Sequence, residues 1–235
     1  SQLTGKTEQE LFEDLKGVIF LNPMHTSEED GRPKYLPADE YLSGNVREKL
    51  AIAKRSAELH PEDYGENVRA LEAVQPVDLT ASEISVRLGA TWLTLEIIEE
   101  FMFELFSTPR YCQWNIHVHY AQYTGEWNVE GKSYDRSNVK AYNTYGTGRV
   151  NGYKIMEETL NLRDVRIFDY IEDGNGMKTA LLNKKETAIA QGKQELIKQA
   201  FADWIWSDPE RREQLTKLYN EKFNSIRPAS MTAAT

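Results

Sequence analysis

The sequence predicts an α+β protein, mainly helical, with two small β-hairpins. Three observations carry that expectation. Apolar residues recur at helical spacing near 46–57, 95–105 and 189–204. Two alternating runs, 116–120 and 126–129, flank the turn Tyr123-Thr124-Gly125. A third run, 165–170, leads into Asp173-Gly174-Asn175-Gly176, a strong turn, after which 179–182 can pair back.

The elements follow in order. Leu11, Phe12 and Leu15 fit a short helix, and 18–21 a short strand. A loop rich in Pro, Gly and acids runs over 22–37. Ser43 or Asn45 can cap a helix whose apolar face is Val46, Leu50, Ala53 and Ala57, and Pro61 ends it. Val68, Leu71 and Val74 mark another helix, which stops before Pro76. Thr80 or Ser82 can cap a helix through Leu88, with Gly89 at its left-handed end. Ile97, Ile98, Phe101, Met102 and Leu105 then form the face of a second helix. Helix, turn, helix and hairpin over 78–129 is the outline of a winged helix. The second helix carries Glu96, Glu99, Glu100 and Glu104, a row that a helix facing phosphates would not carry. Residues 131–150 read as an exposed loop and 151–160 as a helix. The last fifty residues are helical, with Ile189, Leu196, Ile197, Ala200, Phe201 and Trp204 in one stripe. Ser207-Asp208-Pro209 starts a final helix that buries Leu215, Leu218, Tyr219 and Ile226.

Composition narrows the class. The chain has 235 residues, 40% hydrophobic and 28% charged, the balance of an ordinary globular protein rather than a collagen or a disulfide scaffold. Its apolar runs fall well short of the roughly 18 residues that span a bilayer, so no membrane partner is expected. The polar opening SQLTGKTEQE and the single cysteine, Cys112, point to a cytoplasmic protein without an export signal. The net charge of −9 argues against an overall nucleic-acid-binding character. That total is uneven: residues 1–110 hold 21 acids and 11 bases, while 111–235 hold 16 acids and 17 bases. The charge change and Thr108-Pro109 place a break near 110. The expected domains are therefore an acidic helical part (1–110), a part with hairpins and terminal helices (111–228) and a tail (229–235).

Catalytic chemistry is not evident. Gly5-Lys6-Thr7 resembles the end of a phosphate-binding loop, but the earlier glycine and strand are missing. Asn22-Pro23 after an apolar run lacks the second proline and the aromatic of an amino-methyltransferase site, and reads as a strand end. His117 and His119 alternate on one strand and could share a metal, with Cys112 or Glu126 as a further ligand. The pair otherwise reads as two half-exposed strand histidines. Glu99-Glu100 and Glu157-Glu158 fall where a helix faces water. No metal or cofactor is expected.

One constellation suggests binding. Residues 131–154 hold five bases, Lys132, Arg136, Lys140, Arg149 and Lys154, against one acid, Asp135. They interleave with Tyr134, Tyr142, Tyr145 and Tyr153. The bases can neutralise phosphates, and Tyr142 and Tyr145 can stack on unpaired bases. The competing reading is a loop whose tyrosines pack on the core and whose bases offset the acidic first half. A second group, Lys184, Lys185, Lys193 and Lys198, is diluted by Glu186 and Glu195 and reads as a solvated face.

Four stretches carry a family resemblance. They are Ala38-Asp39-Glu40-Tyr41-Leu42-Ser43-Gly44-Asn45-Val46-Arg47-Glu48-Lys49-Leu50, Val86-Arg87-Leu88-Gly89-Ala90-Thr91-Trp92, Tyr123-Thr124-Gly125-Glu126-Trp127, and 204–228 ending Leu218-Tyr219-Asn220-Glu221-Lys222-Phe223-Asn224-Ser225-Ile226-Arg227-Pro228. Over about residues 8–228 the chain resembles the middle region of the very large methyltransferase–SNF2-type helicase fusion proteins of phages, plasmids and conjugative elements. The resemblance implies that the methyltransferase and helicase motifs lie outside this stretch, so no catalytic residue carries over. It also implies DNA as a partner, together with neighbouring helicase and methyltransferase domains. The expected function is a non-catalytic module that contacts DNA or couples those domains. The alternative is a docking or spacer module without DNA binding.

Overall fold

A computed structural model of the chain describes residues 5–27, 31–172 and 177–229. In chain order the elements are α1 (Glu8–Asp14), β1 (Ile19–Leu21), β2 (Tyr35–Pro37), α2 (Ala38–Tyr41), β3 (Gly44–Asn45), α3 (Val46–Leu59), α4 (Pro61–Ala73), α5 (Leu95–Phe106) and α6 (Arg110–Gln113). They continue with β4 (His117–Ala121), β5 (Glu126–Glu130), a 3₁₀ turn (Lys132–Asp135), a π-helical turn (Lys140–Thr144), α7 (Gly152–Leu160), β6 (Phe168–Glu172), β7 (Lys178–Leu182), α8 (Lys184–Ile205), α9 (Pro209–Phe223) and β8 (Ile226–Arg227). The fold is α+β and mainly helical. Its described sheets are all antiparallel pairs: β1–β2, β3–β8, β4–β5 and β6–β7. The last two are the hairpins expected from sequence. The turn 173–176 lies outside the described residues, as does 230–235 of the expected tail.

The chain forms two compact units, one of residues 1–80 with 216–235 and one of 81–215. The break expected near 110 falls instead inside the second unit. The reason is packing: α5 lies before residue 110, yet Phe101 sets its ring edge-on to Phe201 of α8 at 5.1 Å, and Phe106 packs on Tyr153 of α7 at 4.7 Å.

In the first unit, Phe20, Tyr41, Val46, Ala53 and Leu71 form the core, with Phe20 and Tyr41 stacked at 5.0 Å. Of the caps here, Asn45 is one the sequence suggests, and Pro61, read as the end of α3, also opens α4. Asn45 accepts the Glu48 amide at 3.1 Å, and Pro61 opens α4 where its missing N–H costs nothing. Gly5-Lys6-Thr7 leads into a helix. Thr7 caps α1 in a reciprocal box with Glu10, and Lys6 pairs with Asp14. Asn22 closes the following loop by donating to the Pro33 carbonyl at 2.9 Å and accepting the Met24 amide at 3.0 Å.

The end of α9 completes this unit. β8 pairs with β3, and Arg47 donates to the Asn224 carbonyl at 2.8 Å. Asn220, 1% exposed, accepts the Leu79 amide and donates to the Leu79 carbonyl, both at 2.9 Å. Asn220→Ala strands both groups and is expected to cost the unit about 2 kcal/mol, read from the urea midpoint. Ile226, expected in the core, is exposed, because β8 turns it outward beside β3.

In the second unit, α5 packs on β4 and α7 on β5, Val118 and Val129 pair on the buried face of that hairpin, and α8 packs against α5 and α7. The helix expected over 82–88 does not form. Residues 81–94 run as turns and irregular backbone, and Ile84 and Leu88 are buried as separate anchors. Gly89 does adopt left-handed backbone (φ +85°), for a different reason. A β-carbon there would lie 2.2 Å from the Leu160 carbonyl oxygen at the end of α7. The winged-helix outline over 78–129 therefore lacks its first helix. Along α8 the buried stripe is Ala190, Gln194, Ile197, Phe201 and Ile205, while Ile189 and Leu196 face outward. β6 begins at Phe168 because the preceding backbone bonds to side chains: Val165 donates to Gln194 (3.2 Å) and Ile167 to Thr187 (3.0 Å). No helix among the described residues is long and apolar enough to cross a membrane.

Candidate nucleic-acid interface

The loop 131–151 is ordered by its two ends and by two buried acids. It starts at Gly131 (φ +73°), where a β-carbon would meet the Asn115 carbonyl oxygen at 1.8 Å. It ends at Asn151, whose side chain caps α7 by accepting the Lys154 amide at 2.9 Å. Asp135 is buried, accepting the Tyr153 hydroxyl at 2.7 Å and the Asn138 amide group at 2.6 Å. Burial first, and then the Asp135 carboxylate, hold the Tyr153 phenol far above its usual range, so it stays a donor.

Glu157 is the second acid. Only 7% exposed, it accepts the Val129 amide at 2.8 Å and pairs with Lys132 and Lys154, each at 2.5 Å. The expectation that Glu99 and Glu157 face water is therefore corrected. Glu99 accepts the Val118 amide at 2.7 Å, and both acids satisfy outward N–H groups of the hairpin. Glu100 meets Arg211 at 3.2 Å.

These contacts sort the expected binding residues. Lys132 and Lys154 are neutralised by Glu157, and Lys154 also by Glu158 at 2.8 Å. Arg149 is held by Asp169 at 2.8 Å and by the Phe168 carbonyl at 2.9 Å. Its guanidinium, and then Asn183, keep the Asp169 carboxyl below the ordinary aspartate range. Arg136 and Lys140 are exposed and pair with no described carboxylate; Lys140 rests on the Ser107 hydroxyl at 2.8 Å. Tyr142 and Tyr145 are half-buried rather than presented as free rings. Tyr142 bonds the Lys132 carbonyl through its hydroxyl, and Tyr145 packs on Phe106 with ring centroids 5.9 Å apart. In the second lysine group, Lys193 caps the Thr144 carbonyl at 2.9 Å and Lys198 pairs with Glu195.

Sequence reasoning left out exposed neighbours of the loop: Arg110, Tyr111 and Trp114, on α6 and its end. Tyr134, which it did name, is exposed on the segment bonded to them. The signal was available: Tyr111 and Trp114 stand three apart around a cysteine, so they share one flank of a helical turn. The histidines of β4 address separate acids, His117 to Glu99 (3.5 Å) and His119 to Glu130 (3.4 Å). The described ligand atoms that do converge, on His60, Glu62 and Asp63, form an exposed cluster at the start of α4 in the first unit.

The second unit of this mainly helical α+β module carries exposed aromatic rings and cations that meet no described carboxylate. The family model for a domain of unknown function, DUF8437, matches residues 87–225, more than half of the chain, and the chain belongs to that family. Residues 1–29 are similar to another family, described as probable helicase, winged helix domain. That similarity falls on α1 and β1, not on the 78–129 outline read from sequence. No curated protein and no solved structure matches the chain.

Proposed function

We propose that this chain is a non-catalytic DNA-contacting module that works beside a helicase. The observation that carries the proposal is that Arg110, Arg136 and Lys140, on two segments bonded to each other, are exposed and without a described carboxylate partner in a chain of net charge −9. The similarity of residues 1–29 to a helicase winged-helix domain supports the setting. The sequence resemblance described above extends it to a parent methyltransferase–SNF2-type helicase protein of a mobile element. In that setting the module works in the cytoplasm and needs no cofactor. Contact is through phosphates, so it is sensitive to salt and indifferent to sequence.

A second reading has its own support. Lys132, Arg149 and Lys154, three of the five loop bases, are neutralised within the chain. That favours a docking or spacer module between helicase and methyltransferase domains. A salt series separates the two readings. The wild-type chain is expected to bind labelled DNA with an affinity that falls as salt rises. The Arg136→Ala, Lys140→Ala double variant is expected to bind more weakly, with a salt slope reduced by about two phosphate contacts. No binding at low salt, or an unchanged slope in the double variant, transfers the assignment to docking.

A further inference from the structure

We infer that the face built from segments 107–114 and 131–140 stacks on unpaired nucleic-acid bases. This deepens the DNA-contacting reading and rests on it. The two segments are locked together. The buried Cys112 thiol donates to the Tyr134 carbonyl at 3.3 Å, Asn138 donates to the Phe106 carbonyl at 3.0 Å, and the Gly131 backbone abuts Asn115. Their inner side chains are spoken for, and their aromatic ones point out: Trp114 is 83% exposed, Tyr111 73% and Tyr134 61%. Single exposed aromatics are ordinary, but here three stand on two joined segments. No other described ring stacks on any of them.

Charge selects the occupant. Arg110, Arg136 and Lys140 stand on the same two segments without a described acid, while Asp135, the acid among them, is turned inward to Tyr153 and Asn138. Exposed rings and cations on the same two segments match a strand whose phosphates meet the cations and whose bases lie on the rings. A duplex meets only half of that arrangement, because its bases stack on one another and offer only their edges. The shared chemistry is an unpaired strand, of DNA or RNA.

The experiment titrates the full chain with labelled oligo-dT, oligo-rU and a duplex of equal length, at low and moderate salt. Oligo-dT is expected to bind more tightly than the duplex. Trp114→Ala is expected to weaken oligo-dT binding about tenfold and duplex binding less than about twofold, with Trp114→Phe restoring most of the loss. Because all three rings are exposed, truncating them leaves the core intact. A Tyr111→Ala, Tyr134→Ala double variant gives an independent reading at the same face. Equal affinity for oligo-rU assigns recognition to the bases alone, and preference for oligo-dT assigns the source to DNA; both sustain the inference. A duplex bound as tightly as oligo-dT, with both aromatic variants unchanged, overturns it and leaves the phosphate-contacting reading standing. No binding of any oligonucleotide overturns both.

Discussion

Glu157→Ala is expected to lower the stability of the second unit by about 3 kcal/mol, measured by chemical denaturation. The side chain is buried and serves three groups. Its loss leaves the Val129 amide without an acceptor inside the hairpin, and leaves Lys132 and Lys154 without the carboxylate that holds both. The lysines are half-exposed and recover water, so most of the cost comes from the stranded amide and the lost packing. Glu157→Gln keeps an acceptor and loses the charge, so its cost should be smaller. The two variants also separate by pH. Burial alone would raise the Glu157 carboxyl, but the two lysines and the Val129 amide outweigh it and hold the group below its ordinary 4.5. A carboxyl lowered in the folded state adds stability that is present above its ordinary value and is lost as pH falls through the lowered one. The gap between wild type and Glu157→Gln should therefore hold at neutral pH and narrow as pH falls below the ordinary 4.5. A gap unchanged down to pH 3 would contradict the assignment.

Gly131→Ala is expected to be as damaging, again by about 3 kcal/mol. Two effects act together. The φ of +73° is strained for any residue with a β-carbon, and that carbon would fall 1.8 Å from the Asn115 carbonyl oxygen. Backbone on both sides has to move, because no flexible side chain can yield. Gly148 is the control, since a β-carbon there meets nothing within 4 Å. Gly148→Ala should leave the thermal midpoint within about 1 °C while Gly131→Ala lowers it by many degrees. Equal midpoints would mean that segments 112–115 and 131–134 are not held together as described. The Gly131 variant should also lose the single-strand preference assigned to that face.

The elements carried by local chemistry were legible in the sequence. Asn45, Pro61 and Gly125 mark real boundaries, and the alternation in 116–129 is a real hairpin, because caps, turns and period depend on neighbours a few residues away. Residues 82–88 were not legible. Their helical spacing reflects two anchors, Ile84 and Leu88, that are buried independently. The fate of the loop bases depended on distant partners. Whether Lys132 faces solvent or Glu157 is set by α7, 25 residues away, and Arg149 is claimed by a strand 20 residues on. Counting charge in a window could not tell cations held by an acid from those without a described one. It also stopped at residue 131, so Arg110, Tyr111 and Trp114 were left out, although the fold brings their segment against the loop.

The first unit is assembled from both sides of the second. Residues 1–80 supply most of it, yet its closing pieces, Asn220, Asn224 and β8, come from the far side of 81–215. Synthesis in chain order makes residues 81–215 before the closing pieces that the outer unit needs. The outer unit must wait, incomplete, through about 135 residues of synthesis, with the Leu79 backbone unpaired and β3 lacking its partner strand. Such an order makes the outer unit the last to close.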